Sequence, residues 1–222
     1  MAITTLNLRA LNRSDTATSG QVITATSATA ADFQDAAGGA WTLIKTITAS
    51  SDSTISFVDG ASSVVLDSTY DEYCFRFTNI HGSVAGQHFS FNVSIDGGSN
   101  YNVVKSTACF NTYHKEDGSG TPALLYSTGL DLANSTDDQR LLQNIGIEND
   151  ESASGEFYIW GPASTTFKKH FVARGNLAEG ADYTEANFIT GFINSTSAVD
   201  AIQFSMSSGN IDSGKVKMYG IS

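Results

Sequence analysis

The groups in this chain that could carry chemistry are four histidines, two cysteines and 23 acidic residues. Nucleophilic acyl transfer needs a Ser or Cys beside a His that an acid orients. No Gly-x-Ser-x-Gly turn occurs, and the histidines are scattered. His81 precedes Gly82, His88 alternates out of an apolar run, His114 adjoins Lys115 and Glu116, and His170 follows Lys168-Lys169. Each reads as a solvated polar residue. Cys74 and Cys109 lie inside β-like runs and make neither a disulfide framework nor a metal pair, so they read as small buried or half-buried hydrophobes. There is no His-x-x-x-His, Cys-x-x-Cys or EF-hand loop. Asp137-Asp138 and Glu148-Asn149-Asp150-Glu151 could hold a calcium ion between loops, but acidic loops in a chain of net charge −11 are usually just hydrated. Glycoside hydrolysis uses two carboxylates that distant strands can supply, and spacing cannot pick such a pair out of 23 acids. The expectation is no enzyme, no cofactor and no metal.

Aromatic side chains offer a different chemistry, the stacking of sugars. Trp41, Trp160, Tyr101, Tyr113, Tyr158 and Tyr183 could form such a platform. Trp41 shares its run with Leu43 and Ile44, and Trp160 with Phe157 and Ile159, which predicts core packing for both tryptophans. Tyr101 and Tyr183 stand beside polar loops and are the candidate glycan-facing residues.

The elements that must position these groups are strands. Phe89, Phe91, Val93 and Ile95 alternate with His88, Ser90, Asn92 and Ser94, and Tyr73, Phe75 and Phe77 alternate with Cys74, Arg76 and Thr78. A period of two is the mark of a half-buried strand. Similar short runs occur at 41–48, 54–58, 108–113, 122–127, 155–160, 166–173, 187–193, 200–206 and 215–220. Asp96-Gly97-Gly98-Ser99-Asn100 supplies positive-φ positions for a hairpin between 88–95 and 101–105. Pro122 and Pro162 fall near strand ends, where a missing donor costs little. Many short strands without a 3.6-residue pattern or fixed repeat predict an all-β fold, an antiparallel β-sandwich of jelly-roll type.

Residues 1–40 differ in kind. Ten are Ala, ten are Ser or Thr, and Phe33 is the one aromatic, too little apolar surface to offset the entropy of ordering alone. Leu6, Leu8 and Ala10 alternate with Asn7 and Arg9, as in an extended strand. Thr29 through Ala37 reads as a short helix, with Thr29 as N-cap, Asp32 near the positive end, and Gly38-Gly39 to stop it. The expected organisation is an extended arm with a short helix over 1–40 and a β-sandwich over 41–222. The acidic balance opposes binding to nucleic acid or an anionic membrane surface. No apolar run approaches the roughly 20 residues of a bilayer span. Met1-Ala2-Ile3-Thr4-Thr5 lacks the basic and apolar regions of a signal peptide, so synthesis in the cytoplasm is expected.

Four stretches look familiar. The segment Ser19-Gly20-Gln21-Val22-Ile23-Thr24-Ala25-Thr26-Ser27-Ala28-Thr29-Ala30-Ala31-Asp32-Phe33-Gln34 resembles a linker of virion fibre proteins from marine cyanophages and pelagiphages. Ser68-Thr69-Tyr70-Asp71-Glu72-Tyr73 with Phe75, Phe77 and Asn79-Ile80 is similar to the opening of a β-domain in those proteins. The turn Ser94 to Tyr101 and the ending Ser208 to Ile221 resemble the same module. The resemblance implies a tailed-bacteriophage structural protein on the virion surface, made in the host cytoplasm: a capsid decoration or a short head or tail fibre, often trimeric. It implies other capsid or tail proteins as partners, with Leu6, Leu8, Leu11, Val22, Ile23 and Phe33 as candidate particle-anchoring residues. The alternative it leaves open is a receptor-binding tip that holds a host surface glycan.

Overall fold

The computed structural model describes residues 21–25, 31–35 and 40–222. The chain divides into two compact units, Met1–Ala40 and Trp41–Ser222. In the first, β1 (Gln21–Ala25) and β2 (Ala31–Asp35) form a two-stranded antiparallel sheet with Ile23 opposite Phe33 and Val22 opposite Gln34. This corrects the helix expected over 29–37, whose described residues 31–35 are a strand. A helix of about eight residues is marginal in water, whereas pairing with the β-branched run Val22-Ile23-Thr24 satisfies the same backbone groups along a ladder. Leu6, Leu8 and Leu11, and the strand expected around them, lie outside the described residues.

The second unit is all-β, and no helix occurs among the described residues. Its strands are β3 (Trp41–Asp52), β4 (Thr54–Val58), β5 (Glu72–Gly82), β6 (Gln87–Ser94), β7 (Lys105–Lys115), β8 (Ala123–Tyr126), β9 (Gln139–Ile145), β10 (Ala153–Trp160), β11 (Lys169–Glu179), β12 (Tyr183–Ile193), β13 (Ala201–Met206) and β14 (Ile211–Ile221). Hydrogen bonds link them in the order β3-β14-β5-β10-β11-β9-β6-β13-β4, with β12, β7 and β8 continuing from β11 as a branch. All pairs are antiparallel. The two ends of the nine-strand path, β3 and β4, are joined through Ser53 alone, so the sheet returns on itself and is barrel-like. Two separate sheets were expected; here one pair, Glu179 with Ile145, carries the ladder from β11 into β9.

The core is aromatic. Phe57, Phe75, Phe77, Phe89, Phe91, Phe157, Phe171 and Phe204 are all buried; apart from the stacked pair Phe89 and Phe204, their rings meet edge-on or tilted, as Phe57 with Phe75 at 5.2 Å and Phe91 with Phe171 at 5.1 Å. Aromatic pairs favour such geometry because ring faces are negative and edges positive. Tyr73, Phe75 and Phe77 alternate inward with Arg76 and Thr78 outward, although Cys74 is buried on the outer side.

Strand β6 departs from the expected half-buried pattern. Phe89, Phe91 and Val93 face the core, but Ser90, Asn92 and Ser94 are buried as well, and Ile95 lies past the strand end, 39% exposed. The hairpin expected between 88–95 and 101–105 is not formed. β6 pairs with β13 and β9, while β7 begins at Lys105 and pairs with β12 from Lys105–Ile193 to Tyr183–Lys115. That long ladder satisfies more backbone groups than the short segment 101–104 could offer β6. Gly97 and Gly98 do take positive φ, at 71° and 79°. Strand β9 lacks a sustained alternation because Leu141 and Leu142 are adjacent and both buried. Its positive-φ Asn144 and shifted register against β6 mark it as irregular.

Candidate ligand-binding face

Antiparallel pairing sets residues of successive strands side by side on one face. On the outward face, seven strands align one row: Lys217 (β14), Arg76 (β5), Glu156 (β10), Arg174 (β11), Phe188 (β12), Phe110 (β7) and Tyr126 (β8). The neighbouring row holds Tyr219, Cys74, Tyr158 and Val172. Four residues of the charged end, Arg76, Glu156, Arg174 and Lys217, line an open groove of about 610 Å³ together with Phe188 and Tyr219.

Glu156 is the hub. It is 8% exposed, and Oε1 accepts from Nε of Arg174 at 2.6 Å, with Nη2 of the same guanidinium in ion-pair contact at 2.6 Å. Oε2 accepts from the Tyr158 hydroxyl at 3.1 Å, and Arg76 Nε stands 3.8 Å away. Arg174 is held further toward its charged form by that hydrogen bond to Glu156. Burial first, then the neighbouring Cys74 and Glu156, push the Tyr158 phenol up, so it stays a donor. Burial also pushes the Cys74 thiol up to about 12, which removes the thiolate needed for nucleophilic work. The row carries one carboxylate, held by Arg174 and Tyr158, where glycoside hydrolysis uses two.

An aromatic wall adjoins this network. The Arg76 guanidinium lies over the Trp41 ring, 5.8 Å from its centre. Trp41 meets Tyr158 edge-on at 6.1 Å and Tyr219 at 5.7 Å. Core packing was expected for both tryptophans; instead Trp41 is 40% and Trp160 41% exposed. Each lies near a strand end, where the apolar neighbours Ile44 and Ile159 take the inward positions and the tryptophans the outward ones. Trp160 joins Tyr158 and Arg174 around a smaller hollow of about 270 Å³.

Neither sequence-nominated tyrosine belongs to this face's charged end. Tyr101 sits in the loop before β7, where its hydroxyl approaches Gly98. Tyr183 opens β12 opposite Lys115 and meets Tyr113 edge-on at 5.9 Å. They lie at opposite ends of the 11-residue β7, about 33 Å apart at a strand's rise, so one small ligand cannot touch both. Val22, Ile23 and Phe33 lie in the hairpin of the first unit. His88, expected to be solvated, is half-buried, and its Nδ1 accepts from the Asn144 amide at 3.2 Å. Burial, then Arg140, lower its pKa and favour the neutral ring. Both cysteines are free and buried. Among the described residues no cluster of three or more His, Cys, Asp or Glu is placed to hold a metal ion.

The residues sequence reasoning passed over are Arg76, Glu156, Arg174, Lys217 and Tyr219. The available signal was charge at outward positions of aromatic strands, as in Phe75-Arg76-Phe77 and Glu156-Phe157. Compared with protein-family models, curated proteins and solved structures, the chain matches none.

Proposed function

We propose that this chain is a non-enzymatic structural protein of a tailed-bacteriophage particle, a capsid decoration or short head or tail fibre. Residues 1–40 attach it to neighbouring capsid or tail proteins, and the body is displayed on the virion surface as a homotrimer. The observation that carries the reading is the division at Ala40/Trp41 between a small unit and a large all-β one. An extended arm docks by main-chain pairing without a prebuilt pocket, and a sheet that returns on itself limits exposed strand edges. We read the body as a jelly-roll sandwich, because β5, β10 and β11 face β6, β13 and β4 across the phenylalanine core, as two layers do. The test uses particles that lack the protein. Full-length chain is expected to restore occupancy and to scatter light as a trimer, while residues 41–222 fold but fail to dock. Docking of the truncated chain at full occupancy would refute the anchoring role.

A second reading, a receptor-binding tip for a host glycan, is favoured by the Trp41–Arg76–Glu156–Arg174 face. Lys217, Arg76 and Arg174 line one groove with Glu156 on a chain of net charge −11, which fits a sugar bearing carboxylate or sulfate. Single-site binding would be weak and raised by copy number. Trp41→Ala is expected to weaken acidic-oligosaccharide binding about tenfold, or about 1.4 kcal/mol, measured by ligand-observed NMR. Binding that ignores both Trp41→Ala and added salt would place the sugar elsewhere.

A further inference from the structure

Lys105 is fully buried, yet neither hydrogen-bond partner of its amine is charged. Nζ donates to Asn92 Oδ1 at 2.6 Å and to the Val103 carbonyl at 2.9 Å. Holding an ammonium against neutral oxygens in the interior is unfavourable. Burial accordingly pushes this amine down to about 8, against the opposing pull of Asp138 and Asp137. A desolvated lysine of this kind is a nucleophile.

The group facing it is an equally restrained electrophile. Asn92 is 3% exposed. Its Oδ1 also accepts from the Val93 N–H at 2.9 Å. Its Nδ2 donates to Asp138 Oδ1 at 2.8 Å and to the Thr136 carbonyl at 3.0 Å. With a C=O bond of about 1.2 Å, the amide carbon Cγ lies within roughly 4 Å of the Lys105 amine, close to the approach distance of a near-attack pair. The backbone makes this meeting obligatory. Lys105 opens β7, its N–H and C=O pair with Ser135, and that bridge carries 136–138 over Asn92 on β6. Asp138 itself is exposed, so a small product formed there has a way to solvent.

We propose that Lys105 and Asn92 join in an intramolecular isopeptide bond, with Asp138 carrying the proton. The Nζ lone pair adds to Cγ, and the C=O π electrons move onto Oδ1, where the Val93 N–H holds the developing negative charge. Asp138 takes a proton originating on Nζ and delivers it to Nδ2. The Cγ–Nδ2 bond breaks and its electron pair leaves with nitrogen as ammonia. One C–N bond forms and one breaks; nothing is oxidised or reduced, and no other reactant is required. The product ties β6 to β7. These strands lie on the two branches of the sheet, which hydrogen bonds join at β11, so one covalent link locks the closure of the body.

Intact mass spectrometry of the denatured full-length chain tests this directly. The expected mass is lower than the sequence mass by one ammonia, and protease digestion yields a branched peptide joining the Asn92 and Lys105 segments. Loss of ammonia without that branched peptide would mean a succinimide at an asparagine, and would overturn the proposal. So would a chain of full mass whose Lys105 amine is free to react after unfolding. Lys105→Arg and the gentler Asp138→Asn are each expected to give full mass and linear peptides only, with a lower melting temperature than wild type. A branched peptide at wild-type yield in Asp138→Asn would remove Asp138 from the chemistry.

Discussion

Phe204→Ala is expected to destabilise the body by about 3–5 kcal/mol. Phe204 sits at the centre of the aromatic core, fully buried on β13 between Ile55 and Phe91. Its ring stacks on Phe89 at 5.5 Å and meets Phe75 at 5.6 Å, Phe77 at 6.1 Å, Phe57 at 6.3 Å and Phe157 at 6.4 Å. Truncation removes the buried area and leaves a cavity walled by rigid rings, which cannot collapse into it. Urea titration should show a lower midpoint at unchanged slope. Phe167→Ala is the control, because that ring is 73% exposed, and it should move the midpoint little. A Phe204 variant within 1 kcal/mol of wild type would mean that the strands bearing these rings do not face one another.

The second large effect is expected at Gly97 and Gly98. Ser94 Oγ and the Asp96 carboxylate fold the turn by accepting from Gly98, Asn100 and Asp96 amides, and Asp200 Oδ2 accepts from the Gly97 N–H at 2.9 Å. Both glycines have φ in the left-handed region, which a β-branched residue reaches only under strain. A side chain at Gly97 would meet open space, so Gly97→Val carries the backbone cost alone. At Gly98 a Cβ would also stand 2.9 Å from the Tyr101 hydroxyl and 3.1 Å from Val58 Cγ2. Each substitution should cost about 1–3 kcal/mol, with Gly98→Val the worse, and the double variant should fold poorly. Asn100→Ala, which removes one exposed hydrogen bond to Asp96, should cost only about 0.5–1 kcal/mol. Thermal melts of the four variants give the ranking. A double variant that melts like wild type would place the turn elsewhere.

These two sites show what kinds of information the chain carries locally. The positive-φ glycines were readable because turn chemistry depends on adjacent residues. So were most strands, since alternation in Phe75-Arg76-Phe77 or Phe89-Ser90-Phe91 needs no knowledge of partners. The strand at Gln139–Ile145 was not readable, because the adjacent Leu141 and Leu142 are both buried and the paired polar residues Gln143 and Asn144 follow them, so no period of two is left. The helix expected near Thr29 failed for the complementary reason. Its capping signals are local and weak, and pairing with Gln21–Ala25 offers the backbone a longer ladder.

By itself the sequence determined an all-antiparallel β-body beginning near Trp41, a distinct Ala/Ser/Thr-rich segment before it, and the turn at Gly97-Gly98. Only the tertiary structure decided which strands are neighbours, and with that everything about the sites. Asn92 belongs beside Lys105 and Asp138 because Lys105 bridges to Ser135, a pairing between segments that no local pattern announces. Arg76, Glu156 and Arg174 are far apart in the chain and adjacent in the sheet. Trp41 and Trp160 turned outward because the inward positions of their strands went to Ile44 and Ile159. Period-two patterning fixes which face a side chain takes within a strand, but register between strands depends on long-range packing, and it is register that assembles a site.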